Sequence, residues 1–214
     1  MKNFLSTISS AASLLILAAS LTAAAADELT VVYNGGAAPL TFEDATSRPA
    51  GLLPDLWQLW AQKAGRKIKF VKEDSVEESL RLLRNGDVDL HVGLTRTPER
   101  DAVLDYSEPL LTLDYHIFTH PSVYPIKSLE KTSGLLVGIR KGGYTEKLVR
   151  ANVPASRIVF YDRLQDLFRD ALKGEIKVFV AGELNLLFYL KENYLTNIFE
   201  YERDRPLYSQ VYYT

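Results

Sequence analysis

Apolar residues recur along this chain in two rhythms, one suited to helices and one to strands. Between Leu52 and Ala64 they fall at 52, 53, 56, 57, 60 and 61, the stripe of an amphipathic helix. Gly65 stops it. Glu28–Tyr33 is β-branched and aromatic and predicts a strand, broken by Asn34-Gly35-Gly36. Lys67–Val71 alternates and predicts another. Ser75-Val76-Glu77-Glu78 is a capping box, a hydroxyl and a carboxylate spaced to satisfy each other's backbone donors. It opens a helix over Val76–Arg84 that Asn85-Gly86 ends. Val88–Val92 predicts the next strand. Strand-helix-strand-helix-strand is the order of a sheet with crossover helices.

The same order returns. Leu135–Arg140, Arg157–Tyr161 and Ile176–Val180 predict strands, with helices over Tyr144–Ala151 and Leu164–Leu172 between them. Segments 86–92 and 174–180 overlay as a glycine stop, an acid and an apolar strand. The repetition predicts an α/β protein of two similar lobes, 27–118 and 119–206. Leu110–His120, ending at Pro121, is the natural crossing from one to the other. Residues 207–214 predict a returning strand, after which the chain stops before further elements of the first lobe.

Met1–Ala26 is a different kind of sequence. Lys2 is its one charge, Leu14-Leu15-Ile16-Leu17 centre an apolar run, and Ala24-Ala25-Ala26 close it. A basic start, a short apolar middle and small terminal residues predict a secretory signal cleaved after Ala26. Ser and Thr interrupt the run, which falls short of the ~20 residues of a spanning helix. The expected location is the periplasm.

Composition narrows the chemistry. The formal charge of −2, from 25 Lys+Arg against 27 Asp+Glu, gives no overall attraction to nucleic acid, and no nucleic-acid partner is expected. Zero Cys excludes disulfides, thiolate metal sites and a Cys nucleophile. His91, His116 and His120 lack metal-ligand spacing, so neither metal nor other cofactor is expected. No G-x-S-x-G, Walker A or G-x-G-x-x-G occurs. Arg66-Lys67-Ile68-Lys69 alternates on a strand edge as a solvated face, and Trp57 and Trp60 stand at the spacing of a packed helix face.

The informative stretch is Gly93-Leu94-Thr95-Arg96-Thr97-Pro98-Glu99-Arg100. Thr97 can cap a helical turn whose first position suits Pro98. Such a turn leaves backbone N–H groups free. Thr95 adds a hydroxyl, and the Arg100 guanidinium can grip a carboxylate by two parallel bonds, which Lys cannot copy. Together they form an anion site at the carboxyl edge of a sheet. The alternative is that Arg100 pairs with Glu99, Asp101 or Asp105 at the surface.

These residues carry a resemblance. Ala38-Pro39-Leu40-Thr41-Phe42, Gly51-Leu52-Leu53-Pro54-Asp55, Asn85-Gly86-Asp87-Val88-Asp89, the T-x-T-x-E-R element at 95–100, Asp105-Tyr106-Ser107-Glu108-Pro109 and Val137–Tyr144 resemble the periplasmic solute-binding family 3, which includes polar amino-acid receptors. The resemblance implies a two-lobed periplasmic binding protein-like fold with two crossing strands, here apparently lacking the usual C-terminal elements. It implies a non-catalytic, monomeric protein that closes on a small carboxylate-bearing ligand for uptake, with a membrane permease as partner. Carried over residue by residue, Arg100 grips the ligand carboxylate, Thr95 and Gly93 assist, and Gly143 and Tyr144 begin the second-lobe helix facing it. Two positions depart from the pattern. Ala37 stands where an aromatic covers the ligand. Gly182 stands where an Asp holds an amino group, with Glu183 beside it as the substitute after a one-residue shift. Leu56–Trp60 and Asp114–Phe118 are more similar to binding domains in front of membrane-bound diguanylate cyclases and histidine kinases, which implies a sensory alternative with a membrane signalling partner. Dehydratase or lytic activity is a further implication, for which Glu183 or Glu43 offers an acid.

Overall fold

The structure, a computed structural model, describes residues 28–132 and 134–214. The expected leader lies outside them. In the first lobe β1 (Glu28–Tyr33) lies between β4 (Lys67–Lys72) and β5 (Leu90–His91), all parallel. Helices α1 (Leu52–Ala64) and α2 (Val76–Asn85) make the crossovers. A small hairpin of β2 (Phe42–Glu43) and β3 (Pro49–Ala50) precedes α1. Gly51 begins α1 at φ 114°, where a Cβ would lie 2.6 Å from the Pro39 carbonyl oxygen. Its missing side chain lets the carbonyls of Pro39 and Leu40 accept the first helical amides, at 2.9 and 3.1 Å. Buried Val31, Tyr33, Leu53, Trp57 and Val92 form this lobe's core, and the Trp57 indole donates to the Val92 carbonyl at 3.1 Å.

The capping box forms only in part. Ser75 Oγ accepts from the Glu78 N–H at 3.3 Å as expected. The Ser75 N–H donates instead to Glu73, because Glu78 is held by Arg81. The strand expected over Val88–Val92 is also shorter. Leu90–His91 pairs with β1, and β6 (Leu94–Thr95) then pairs with β11 (Tyr208–Tyr213) in the other sheet. Asp89 anchors the near side by accepting from both the N–H and the hydroxyl of Thr30. His91 Nδ1 accepts the Gly93 N–H at 3.1 Å and bends the backbone between the two short strands.

The second sheet has six strands. The crossing strand β7 (Leu111–Thr119) lies beside β10 (Val178–Gly182), followed outward by β8 (Val137–Arg140) and β9 (Ile158–Tyr161). On its other side β7 pairs with β11, the returning strand, which reaches β6 at the edge. Helices α4 (Gly143–Asn152), α5 (Leu164–Leu172) and α6 (Glu183–Glu192) pack on this sheet, and α3 (Pro98–Asp101) is the turn capped by Thr97. One face is aromatic, with Phe118, Phe168 and Phe179 fully buried. The other holds Val137, Ile139, Val178 and Val180 against Val149 of α4.

β10 starts two residues later than Ile176, because the N–H groups of Glu175 and Ile176 fold back onto the Asp170 carbonyl and close α5. The two overlaid segments do share their stop: Gly86 and Gly174 both adopt φ 74°, and each strand begins at the same interval beyond its glycine. Among the described residues no helix is long and apolar enough to cross a membrane.

Candidate ligand-binding site

The site begins at the bend after β5. His91 is buried, accepts the Gly93 N–H through Nδ1, and so carries its proton on Nε2, which donates to Asn34 Oδ1 at 3.0 Å. Burial lowers its pKa to about 3, and the Arg100 charge adds to the fall. The imidazole is therefore neutral in the fold but protonates near pH 6.5 once unfolded. The folded value lies below the unfolded one, so stability is full above pH 6.5 and falls as the pH drops toward 3, with a slope approaching about 1.4 kcal/mol per pH unit. Urea midpoints measured at pH 7 and pH 4.5 are expected to draw closer in His91→Gln than in the unsubstituted protein. An equal acid shift in both would exclude His91 as its source.

Beyond the bend, Gly93 allows close packing, since a Cβ there would stand 2.7 Å from Leu53 Cδ1. Thr97 caps α3 by accepting the Arg100 N–H at 3.3 Å. This sets Arg100 over β6, where its guanidinium donates to the Thr95 carbonyl at 2.7 Å and to Thr95 Oγ1 at 3.0 Å. The acids considered as its partners are disposed otherwise. Asp101 pairs with Arg96 at 2.8 Å, and no acid lies within 4.0 Å of the Arg100 guanidinium among the described residues. Arg100 is partly buried, held by neutral acceptors and left with donors for an anion.

Thr95 and Tyr144 meet around one cavity of about 300 Å³, which Arg96, Ser209, Gln210 and Tyr213 also line. Tyr144 stacks edge-on against Tyr208 at 4.9 Å. Gly143 starts α4 at φ 76° just before it. One amide of this helix start is already taken: Gly142 N–H donates to Glu146 at 2.6 Å, and that bond, ahead of Arg150, holds the Glu146 pKa low.

Glu183 is not gathered with these residues. As the first residue of α6 it accepts from the Tyr201 hydroxyl at 2.6 Å and lies 3.9 Å from both His116 and Arg203. Glu43, the other acid considered, binds Lys72 at 2.7 Å. In place of an acid at 182 the structure has Asn185. This buried side chain reaches from α6 across to the first lobe and donates to the Ala38 carbonyl at 2.7 Å. A Cβ on Gly182 would lie 2.5 Å from Asn185 Oδ1. Gly182→Asp is therefore expected to displace Asn185 and cost about 1–3 kcal/mol through the unsatisfied carbonyl. The loss should match that of Asn185→Ala, and the double variant should be no worse than either alone in urea denaturation. Additive losses would show that the two positions act separately.

Sequence reasoning missed α6 and Asn185. The run Leu184–Leu190 is apolar on several sides and has no clean stripe. It also missed a tyrosine cluster on the crossing strands: Tyr115 stacks on Tyr208 at 4.6 Å, and its hydroxyl lies 3.4 Å from that of Tyr212.

The profile of the bacterial extracellular solute-binding proteins, family 3, matches residues 29–181. The chain belongs to that family. It is 20% identical over 153 residues to the virulence sensor protein BvgS of Bordetella bronchiseptica, covering 72% of this chain and 12% of that protein. The chain thus spans about an eighth of the length of the curated relatives it matches. A histidine kinase sensor domain with similarity to periplasmic binding proteins has a TM-score of 0.75 at 22% identity, over 87% of this chain and 81% of that one. The arginine-bound form of truncated ArgBP from T. maritima has a TM-score of 0.72 at 21% identity, over 87% of this chain and 86% of that one. These likenesses show the two-lobed α/β fold.

Proposed function

We propose that this chain is an exported, non-catalytic binding protein whose two lobes close on a small carboxylate-bearing ligand. The observation that carries the reading is Arg100, partly buried at the end of β6, held by Thr95 and without an acidic partner among the described residues. A guanidinium so placed offers paired charge-assisted bonds to a carboxylate. Thr95, Gly93, Gly143 and Tyr144 surround that ligand, while Glu183 stays with Tyr201. A ligand that binds the closed arrangement better shifts the population toward it.

α-Amino acids suit the site poorly. Their ammonium group needs a carboxylate once water is excluded, and position 182 supplies a glycine followed by the Asn185 clasp. A thermal-shift series with simple carboxylates and amino acids tests this, because a ligand of the folded state raises stability by mass action. Carboxylates are expected to raise the melting temperature and amino acids to raise it less. A strong shift with amino acids alone would overturn the reading.

The role served by binding has two versions. Uptake with a membrane permease is one. The likeness to BvgS and to a histidine kinase sensor domain favours the other, a sensory domain acting on a membrane signalling partner. Permease genes beside this one would support uptake, and kinase or cyclase genes would support sensing.

A further inference from the structure

Arg100 is not the only partly buried guanidinium without an acid among the described residues. Among the described residues, three arginines are partly buried and lack an acidic partner: Arg100, Arg140 and Arg157. Arg157 donates to the Thr132 carbonyl away from the crossing strands. Arg140 has no hydrogen-bond acceptor among the described residues. It ends β8, one residue beyond the Ile139–Val180 pair, at the carboxyl edge of the parallel strands where α/β sheets hold ligands.

The two guanidiniums share a target. Tyr212 stands opposite Thr95, the residue that holds Arg100, and Tyr115 stands opposite Gly182 on β10, the strand beside Arg140. Burial raises the pKa of Tyr212. The Tyr115 hydroxyl opposes this first, followed by the charges of Arg140 and then Arg100. Tyr115 is raised chiefly by burial, and the Arg140 charge opposes that rise. Both phenols therefore keep their protons at neutral pH. Two hydroxyls in contact use one proton between them, so the pair retains a donor for an anion. Two cations bearing on one hydroxyl pair repel each other until an anion lies between them.

We propose that the ligand is a dianion whose two carboxylates are held by Arg100 from the first lobe and Arg140 from the second, with the Tyr115 and Tyr212 hydroxyls between. This rests on the carboxylate reading above and extends it to the ligand's far end. β6, over which Thr95 holds the Arg100 guanidinium, and β8, which carries Arg140, are four spacings apart, about 19 Å across a sheet at ~4.8 Å per strand. That separation suits two anionic groups on one short chain rather than a single compact anion such as phosphate.

Calorimetric titration of the purified protein with succinate, glutarate and adipate, beside valerate and inorganic phosphate, tests the proposal. At least one diacid is expected to bind about tenfold or more tightly than valerate, the gain of a second charge-assisted pair. Arg140→Gln should abolish that preference and leave valerate unchanged, whereas Arg100→Gln should weaken both. A melting curve confirms that each variant is folded. Equal binding of diacids and valerate, a diacid affinity indifferent to Arg140→Gln, or a preference for phosphate would overturn the proposal. Diacids and valerate bound alike, with an affinity that depends on Arg100 and not on Arg140, would leave the carboxylate reading standing and remove only this extension. No binding of any acid would remove both.

Discussion

Arg100→Lys is expected to abolish most carboxylate binding while leaving the fold in place. Lysine keeps the charge but loses the planar fork, and its ammonium cannot hold Thr95 and a carboxylate in one plane. Losing a charge-assisted pair in a closed cleft costs about 2–5 kcal/mol, roughly thirty-fold to several thousand-fold in affinity. Arg100→Ala should bind no better. The fold should tolerate both changes, because among the described residues the side chain's bonds go only to the carbonyl and hydroxyl of Thr95. Calorimetry with the best-binding carboxylate measures the loss, and urea denaturation shows whether stability is kept. Unchanged affinity in both variants would place the ligand elsewhere.

Phe179→Ala should have the largest effect on stability. Phe179 is fully buried in the middle of the six-stranded sheet, stacked on Phe118 at 5.2 Å and edge-on to Phe199 at 4.9 Å, with Phe168 at 5.9 Å. Removing the ring deletes its transfer free energy and leaves a cavity that three other rings cannot fill without leaving their rotamers. The expected loss is about 3–5 kcal/mol. Gly138, its strand partner, cannot compensate by taking a larger side chain, since a Cβ there would already lie 2.5 Å from Leu167 Cδ1. Urea midpoints with and without the substitution check the value. A loss below about 1 kcal/mol would mean that the cavity collapses freely.

Much of the local geometry of the candidate site was legible where its signals are local. The cap of Thr97 on Arg100 depends on residues three apart, and the T-x-T-P-E-R spacing encodes it directly. The question left open by that stretch, ligand or surface pairing, turned on where Asp101 points. The placement of Arg96 removes Asp101 as that partner, by claiming the acid. Glu183 was offered as a substitute for a missing acid on adjacency alone. Its position at the start of α6 turns it toward Tyr201, and the residue filling the space beside Gly182 is Asn185.

The division follows the range of the forces. Sequence by itself determined the two α/β lobes, because helical and strand periodicity, glycine stops and caps act within a few residues. Leu52–Ala64 and Leu164–Leu172 form as helices over the very residues their apolar stripes mark. Tertiary structure decided what depends on distant partners. It shortened the strand of 88–92 to Leu90–His91 and sent the next residues to the other sheet, since Asp89 finds Thr30 while Thr95 pairs with Tyr212 far along the chain. It also set Tyr115 against Tyr208 and Tyr212, and joined the lobes through Asn185 and Ala38. A hydrogen bond or ring contact between residues a hundred positions apart leaves no period in the sequence. It exists only once the sheets have brought its two ends together.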